Sequence, residues 1–191
     1  VRYIIRKQLG FRKIKVGHAG TLDPKATGLL VICTGKMTKE IQHFTADAKT
    51  YTGTFHLGAT RPSFDLETEV DANFPIDHIT EDLLREAAQN MTGKIQQTPP
   101  IFSAKKVDGQ RAYKAARAGK EIELKPVEVD ILQFELTRIA LPEVDFKIQC
   151  SKGTYIRSMA HDFGKALSSG AYLQALRRTE SGQFNMEDGM T

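Results

Sequence analysis

The chain has 191 residues, of which 40% are hydrophobic and 26% charged, with a formal net charge of +4. That length suffices for a sizeable core, and the composition excludes collagenous, low-complexity and globally disordered chains. No eighteen apolar residues run together, so no helical membrane span is expected; Cys33 and Cys150 have no CxxC or HxxxH context, which argues against zinc or a disulfide framework and for a reducing cytoplasm.

In chain order, residues 2–9 read as an amphipathic helix, with Ile4 and Ile5 among basic residues. The chain opens on Val1 in the middle of that pattern, so upstream residues are expected. Gly17 to Gly28 reads as a glycine-punctuated loop, and 29–34 as a short buried strand. Residues 50–58 alternate, with Tyr51, Gly53, Phe55 and Leu57 on one face, as a half-buried strand does. The spacing predicts a helix over 80–92. Thr80 is its N-cap, Glu81 and Asp82 fill its first turn, Leu83, Leu84, Ala87, Ala88 and Met91 form its stripe, and Gly93 stops it.

Pro99-Pro100 then breaks the chain. Residues 105–108 read as a strand entering an Asp108-Gly109 turn, followed by a basic helix near 111–118. Residues 127–139 and 143–150 read as two strands joined near Pro142. A helix over 155–168 turns Ile156, Met159, Ala160, Phe163 and Leu167 inward, with Thr154 as its cap. A short helix, 171–178, ends in Arg177 and Arg178. Strands and helices mix without a βαβ repeat, which predicts an α+β fold with a mixed, largely antiparallel sheet flanked by helices and loops. No linker divides the chain, so 1–191 reads as one domain.

Charge is segregated. Residues 1–25 carry a balance of +6, 62–90 of −7 and 105–120 of +5. Two basic segments brought to one face would collect phosphates, whereas kept apart they are ordinary solvated surface.

Three places could carry chemistry. In Gly17-His18-Ala19-Gly20-Thr21-Leu22-Asp23-Pro24, glycines permit close approach of another backbone, and Asp23 precedes a restricting proline. Such a carboxylate could be a nucleophile or base, or simply cap a turn. The loop is not a phosphate loop: six residues separate Gly28 from Gly35, and Met37 follows Lys36 where a Walker loop needs Ser or Thr. In Lys49-Thr50-Tyr51, the ring could stack on a base and the ammonium meet a phosphate, or Tyr51 could be a core residue. In Cys150-Ser151-Lys152-Gly153-Thr154-Tyr155-Ile156-Arg157, the arginine falls in a first helical turn, against the helix dipole, as though held there by an anion.

GHAGTLDPKATGLL resembles the catalytic loop of the TruB family of tRNA pseudouridine synthases, which act on uridine 55 in the T-loop of transfer RNA. KTYTGTFHLG, TPPIFSAKKVDGQRAY, CSKGTYIRSMAHDFG and GAYLQALRRT follow in the family's order, so the resemblance runs from about Val1 to Phe184. It implies the pseudouridine-synthase fold, an intramolecular transferase with Asp23 as the essential carboxylate, and base flipping onto Tyr51. It pairs Arg157 with Asp23, sets Leu176 in the uracil pocket, and adds His18, Gly20, Lys49 and Lys152 as RNA contacts. Asp65 falls near a second acidic position, although PSFDLETE departs from the family's wording.

The resemblance implies no cofactor or metal, a cytoplasmic monomer without an obligatory protein partner, and the T-arm of tRNA as partner. The basic segments 1–25 and 105–120 would bind the RNA backbone, and residues 102–120 would close over it. The family's amino-terminal Lys-Pro…Thr-Ser segment and its small carboxy-terminal RNA-binding domain are not in this sequence, so a core trimmed at both ends is expected. The alternative is a catalytically silent RNA-binding fragment of the same fold.

Overall fold

The structure is a computed structural model and describes residues 2–10, 13–103, 106–107, 110–111 and 124–189. Its centre is a seven-stranded, almost wholly antiparallel sheet. β4 (Lys49–Leu57), β10 (Val127–Ala140) and β11 (Glu143–Cys150) form its middle, with β11 paired to both of the others. β7 (Gly93–Gln97) pairs with β10, and β12 (Ala171–Ser181) lies on the far side of β4. β13 (Phe184–Asn185) pairs antiparallel with β12, and β2 (Thr27–Gly28) runs parallel to it. The short strands β5 (Ala59–Thr60) and β6 (Ala72–Asn73) pair with each other apart from this sheet. The mixed, largely antiparallel sheet expected from the sequence is the seven-stranded one.

Alternation explains its two faces. Phe55, Val144, Phe146, Ile148 and Leu173 point to one side and are buried. There they meet α3 (Glu81–Asn90) and α4 (Ile156–Ala166). Phe55 packs 4.2 Å from Phe146 and 5.6 Å from Phe163, ring centre to ring centre. Burying each such ring contributes about 1.5–3 kcal/mol. The opposite side carries Thr50, Thr52 and Thr54 of β4, and Thr54 Oγ1 donates to Asp145 Oδ1 at 2.7 Å.

The helices form largely as their patterns predict. Thr80 caps α3 by accepting from the Leu83 N–H at 3.3 Å. Its buried stripe is Leu84, Ala87, Ala88 and Met91, while Leu83 sits on the flank and is exposed. α1 (Arg2–Leu9) matches the predicted amino-terminal helix.

Four expectations are corrected. Residues 171–178 are not a helix but the body of β12, the immediate neighbour of β4. A bulge between Leu173 and Ala175 breaks the two-residue alternation there, so the strand does not show its period. The apolar run 29–34 pairs only at β3 (Ile32–Thr34), in a separate hairpin with β1 (Val16–His18), and Leu30 is exposed. The Gly17–Gly28 loop is accordingly bounded by strand at both ends. Thr154 does not cap α4; its hydroxyl donates to Ser151 O, and Tyr155 is the N-cap residue. Gln97 at the end of β7 serves that helix start instead, accepting from Tyr155 N at 2.8 Å and donating to Tyr155 O at 3.1 Å.

The predicted Asp108-Gly109 turn lies outside the described residues. The flanking pairs β8 (Lys106–Val107) and β9 (Gln110–Arg111) are antiparallel, as a hairpin requires. The predicted basic helix near 111–118 lies outside the described residues beyond Arg111. Among the described residues no helix is long and apolar enough to cross a membrane.

One half-buried group links the packing to pH. His161 of α4 stacks on Phe64, rings 3.9 Å apart, and Phe64 itself has a left-handed φ of 62°. Burial, aided by the nearby Lys165 cation, pushes the His161 pKa down to about 4. The unfolded chain therefore takes up this proton first as pH falls below the ordinary histidine value. Stability should decline from about pH 6.5 to about pH 4 and then level off. In His161→Gln that part of the decline should be absent. Urea midpoints of both proteins between pH 7 and 4 check it: parallel curves would remove His161 from the pH dependence.

Candidate active site

The core face of the sheet opens at one end, where β4 begins and α4 starts. The register sets Tyr51 opposite Ile148 on one side and Arg178 on the other, with Leu176 opposite Gly53. Tyr51, Leu176 and Arg178 therefore face the same way as the core but lie at its rim. Above them is a cavity of about 520 Å³, lined also by Gly20, Asp23, Lys152, Ser103 and Arg157.

Asp23 hangs in the loop between β1 and β2. Ala19 N donates to Val31 O at 3.0 Å, Ala26 N to Asp23 O at 2.9 Å and Leu29 N to Arg178 O at 2.8 Å. Both ends of the loop are thus tied to strands. A buried guanidinium ties them to each other, since Arg178 donates from Nε to Leu29 O at 2.8 Å and from Nη2 to Gly20 O at 3.3 Å. Gly28 crosses directly over this arginine with φ +100°, and a Cβ there would lie 2.2 Å from Arg178 O. Gly28→Ala should therefore cost about 2–4 kcal/mol in unfolding free energy. A denaturation midpoint equal to wild type would disprove that close approach.

Arg157 is the centre of the site. It lies in the first turn of α4 and is 4% exposed, whereas the Asp23 side chain is 31% exposed. The cation is therefore buried scaffold and the carboxylate is its open end. Nη2 and Nε donate to Asp23 Oδ1 and Oδ2 at 2.9 and 3.0 Å, a bidentate fork that sets the plane of the carboxylate. Nη1 donates to Phe102 O at 3.1 Å and Ser63 O at 3.3 Å. Asp65 Oδ2 lies 3.6 Å from Nε, so the guanidinium is flanked by two carboxylates.

That second carboxylate belongs to a loop held by its own polar groups. Ser63 Oγ donates to Asp65 O at 3.1 Å, and Ser63 N donates to Thr68 Oγ1 at 3.1 Å. Asp65 Oδ1 accepts from Glu67 N at 2.9 Å. The acidic stretch 62–90 thus sends one buried carboxylate to Arg157, which its net charge alone does not foretell.

The other expected residues fall in different places. Tyr51 lines the cavity, and burial raises its phenol pKa while the adjacent Arg178 opposes that rise. Its hydroxyl therefore stays protonated. Leu176 lines the cavity too, from a strand rather than the predicted helix. Gly20 and Lys152 lie on the wall, Lys152 exposed. His18 is exposed on β1 and is not part of the lining.

Lys49 lines the cavity but is not poised for phosphate. Its ammonium donates to Phe44 O at 3.2 Å, Thr45 O at 2.9 Å and Asp47 O at 2.5 Å. It caps the end of α2 (Ile41–Ala46), and burial lowers its pKa. All three of its donors are in use.

Sequence reasoning missed two groups. Arg178 was legible only as the end of a helix. Ser103 is buried, lines the cavity, and its Oγ has no partner among the described residues. Burial pushes the thiol of Cys150, which pairs with Lys49 across the sheet, up to about 11, which leaves it protonated and a poor nucleophile. Among the described residues no cluster of His, Cys, Asp or Glu could hold a metal ion.

Residues 6–156 match the family model for the TruB family pseudouridylate synthase N-terminal domain. Residues 157–191 match that for the tRNA pseudouridylate synthase B C-terminal domain. The two matches meet in the first turn of α4, and the central sheet takes strands from both. The chain is 55% identical to the tRNA pseudouridine synthase B of Flavobacterium johnsoniae, covering all of this chain and 83% of that protein. It is 46% identical to the protein of the same name from Opitutus terrae, over 98% of this chain and 77% of that one.

Among solved structures, a Cbf5–Nop10–Gar1 complex matches with a TM-score of 0.70 and 28% identity. An H/ACA RNP bound to a substrate RNA containing 2′-deoxyuridine matches at 0.66 and 27%. Each match covers 96% of this chain, which spans less than half of those longer chains.

Proposed function

The chain belongs to the TruB family of pseudouridylate synthases, and on that premise we propose that it converts a T-loop uridine of transfer RNA to pseudouridine with Asp23 as the attacking carboxylate. The observation that carries the reading is the bidentate Arg157–Asp23 pair, whose open side faces a cavity of about 520 Å³. A pocket of that size suits one extruded nucleotide.

The reaction breaks the bond from ribose C1′ to uracil N1, rotates the base, and forms a bond from C1′ to C5. N1 gains a proton and C5 loses one, with no net redox change. A covalent step through a carboxylate divides this difficult exchange into two easier ones. Asp23 has one face held by Arg157 and the other open to the cavity, as a nucleophile requires.

A uridine in a folded loop must first leave its stack, at a cost of a few kcal/mol. The Tyr51 ring and the Leu176 side chain give the base an apolar slot that offsets this cost. Arg178 acts at one remove, by holding Gly20 and Leu29 and hence the span of the Asp23 loop. Asp65 and the carbonyls of Ser63 and Phe102 hold Arg157 from behind.

Release of tritium from a T-arm transcript labelled at uracil C5 tests the reading, because the C5 proton must leave when C1′ attaches there. Release matched by pseudouridine in the digested product is the expected result. Salt-sensitive binding of the RNA with no release would instead favour a silent RNA-binding fragment.

A further inference from the structure

We propose that a second, basic groove at the far end of the β1–β3 hairpin grips the phosphodiester backbone of the same RNA whose uridine enters the Asp23 cavity. The proposal rests on the RNA-modifying reading above, but its geometry lies outside that cavity. A depression of about 710 Å³ is lined by Lys13, Lys15, Lys36 and Lys39 over Ile5 and Ile14. All four lysines are exposed, and among the described residues no carboxylate belongs to the lining. Among the described residues none of the four is in a salt bridge, and the nearby Glu40 is turned to His43 at 3.7 Å.

The fold brings these charges together from two stretches of chain. The register pairs Val16 with Thr34, and Gly35 N donates to Lys15 O at 2.9 Å. Lys13 and Lys15 thereby face Lys36 and Lys39 across one groove. Ile5 and Ile14 are half-buried and the lysines exposed, which suits lysine stems lying on apolar surface with their ammonium groups in water. Two cations on each side of a trough suit a linear polyanion better than a single small anion.

The hairpin also links the groove to the cavity. From Lys15 the chain runs through β1 to a bend at Gly20, which lines the cavity. At about 3.3 Å per residue those five steps span at most about 16 Å. That is the axial rise of about five base pairs at 3.4 Å each, so one stem-loop can occupy both places. Among the described residues the rest of the lining is Thr34, Gly35 and Thr38, with no aromatic platform for a base. Its lysines would add affinity and register and leave sequence choice to the cavity.

The test compares the full chain with its K13Q/K15Q/K36Q/K39Q variant for binding of a T-arm stem-loop across a potassium chloride series. Removing one lysine–phosphate pairing should reduce the slope of log Kd against log salt by about 0.7–0.9. The variant should lose about 3 from the slope, bind about 10- to 100-fold more weakly near 0.1 M salt, and show a matching rise in KM in tritium release. K94Q/K165Q, two exposed lysines elsewhere, should leave the slope at its wild-type value.

An unchanged slope in the quadruple variant, with wild-type tritium release intact, would overturn the groove and leave the proposed function standing. Absence of release from the wild type would overturn the functional reading instead. Should the quadruple variant fold poorly, K13Q/K15Q and K36Q/K39Q should each show about half of the slope change, and no change in either would be decisive against the groove.

Discussion

Asp23→Asn should retain less than about a thousandth of the wild-type tritium release while still binding the T-arm RNA. Asparagine keeps the size of the side chain and one oxygen for the Arg157 fork, so the loop should hold its shape. What it loses is the negative oxygen that would attack the substrate. Removing a group that reacts directly typically costs at least that much, because the remaining contacts only bind and orient. The RNA Kd should move by less than about threefold, since the proposed backbone contacts lie elsewhere. Release within about tenfold of wild type would show that Asp23 does not take part in the chemistry. Loss of binding together with release would show that it acts by holding the site.

The second large effect is on stability. Arg157→Met should lower the unfolding free energy by about 3–5 kcal/mol, the usual penalty for breaking a buried pair from one side. The reason is what the arginine leaves behind. Asp65 is 4% exposed and would keep its carboxylate beside an apolar side chain. The carbonyls of Ser63 and Phe102 would lose their guanidinium donor. Most of the penalty comes from Asp65 and those carbonyls, because Asp23 opens to solvent. Adding Asp65→Asn to Arg157→Met should therefore recover about 1–2 kcal/mol by removing the buried charge. Urea titrations of the two single variants and the double would settle this. A single-variant loss below about 1 kcal/mol, or a double variant no better than Arg157→Met, would mean that the pair is not the anchor of the site.

Particular residues show how far the sequence could be read. Alternation in Val144, Phe146, Ile148 and Cys150 announced β11, and all four are buried. The Thr80 cap and the apolar spacing announced α3. Arg157 was marked as anomalous by its place in a helix's first turn, and the structure supplies two carboxylates near it. Asp23 and Tyr51 came to notice through the resemblance, since the residues alone left them open between chemistry and packing.

Other residues could not be read in this way. In β12 the bulge hid the alternation, and AYLQALRR contains good helix formers. The segment is a strand because β4 and β2 satisfy its backbone on both sides. Lys49 looked like a phosphate contact because an isolated lysine carries a free charge, and only the fold of α2 brings three carbonyls to it.

The sequence by itself determined the class of fold, most of the strands and helices, and the family, because alternation, capping and contiguous motifs are properties of neighbours in the chain. The tertiary structure alone decided which charges became scaffold and which became chemistry. Asp23 and Arg157 lie 134 positions apart, and Arg178 is 158 from the Gly20 carbonyl it holds. Such partners have no local signature. A buried cation takes whatever anions and carbonyls the packing delivers, and that delivery depends on the register of a sheet whose strands come from both ends of the chain.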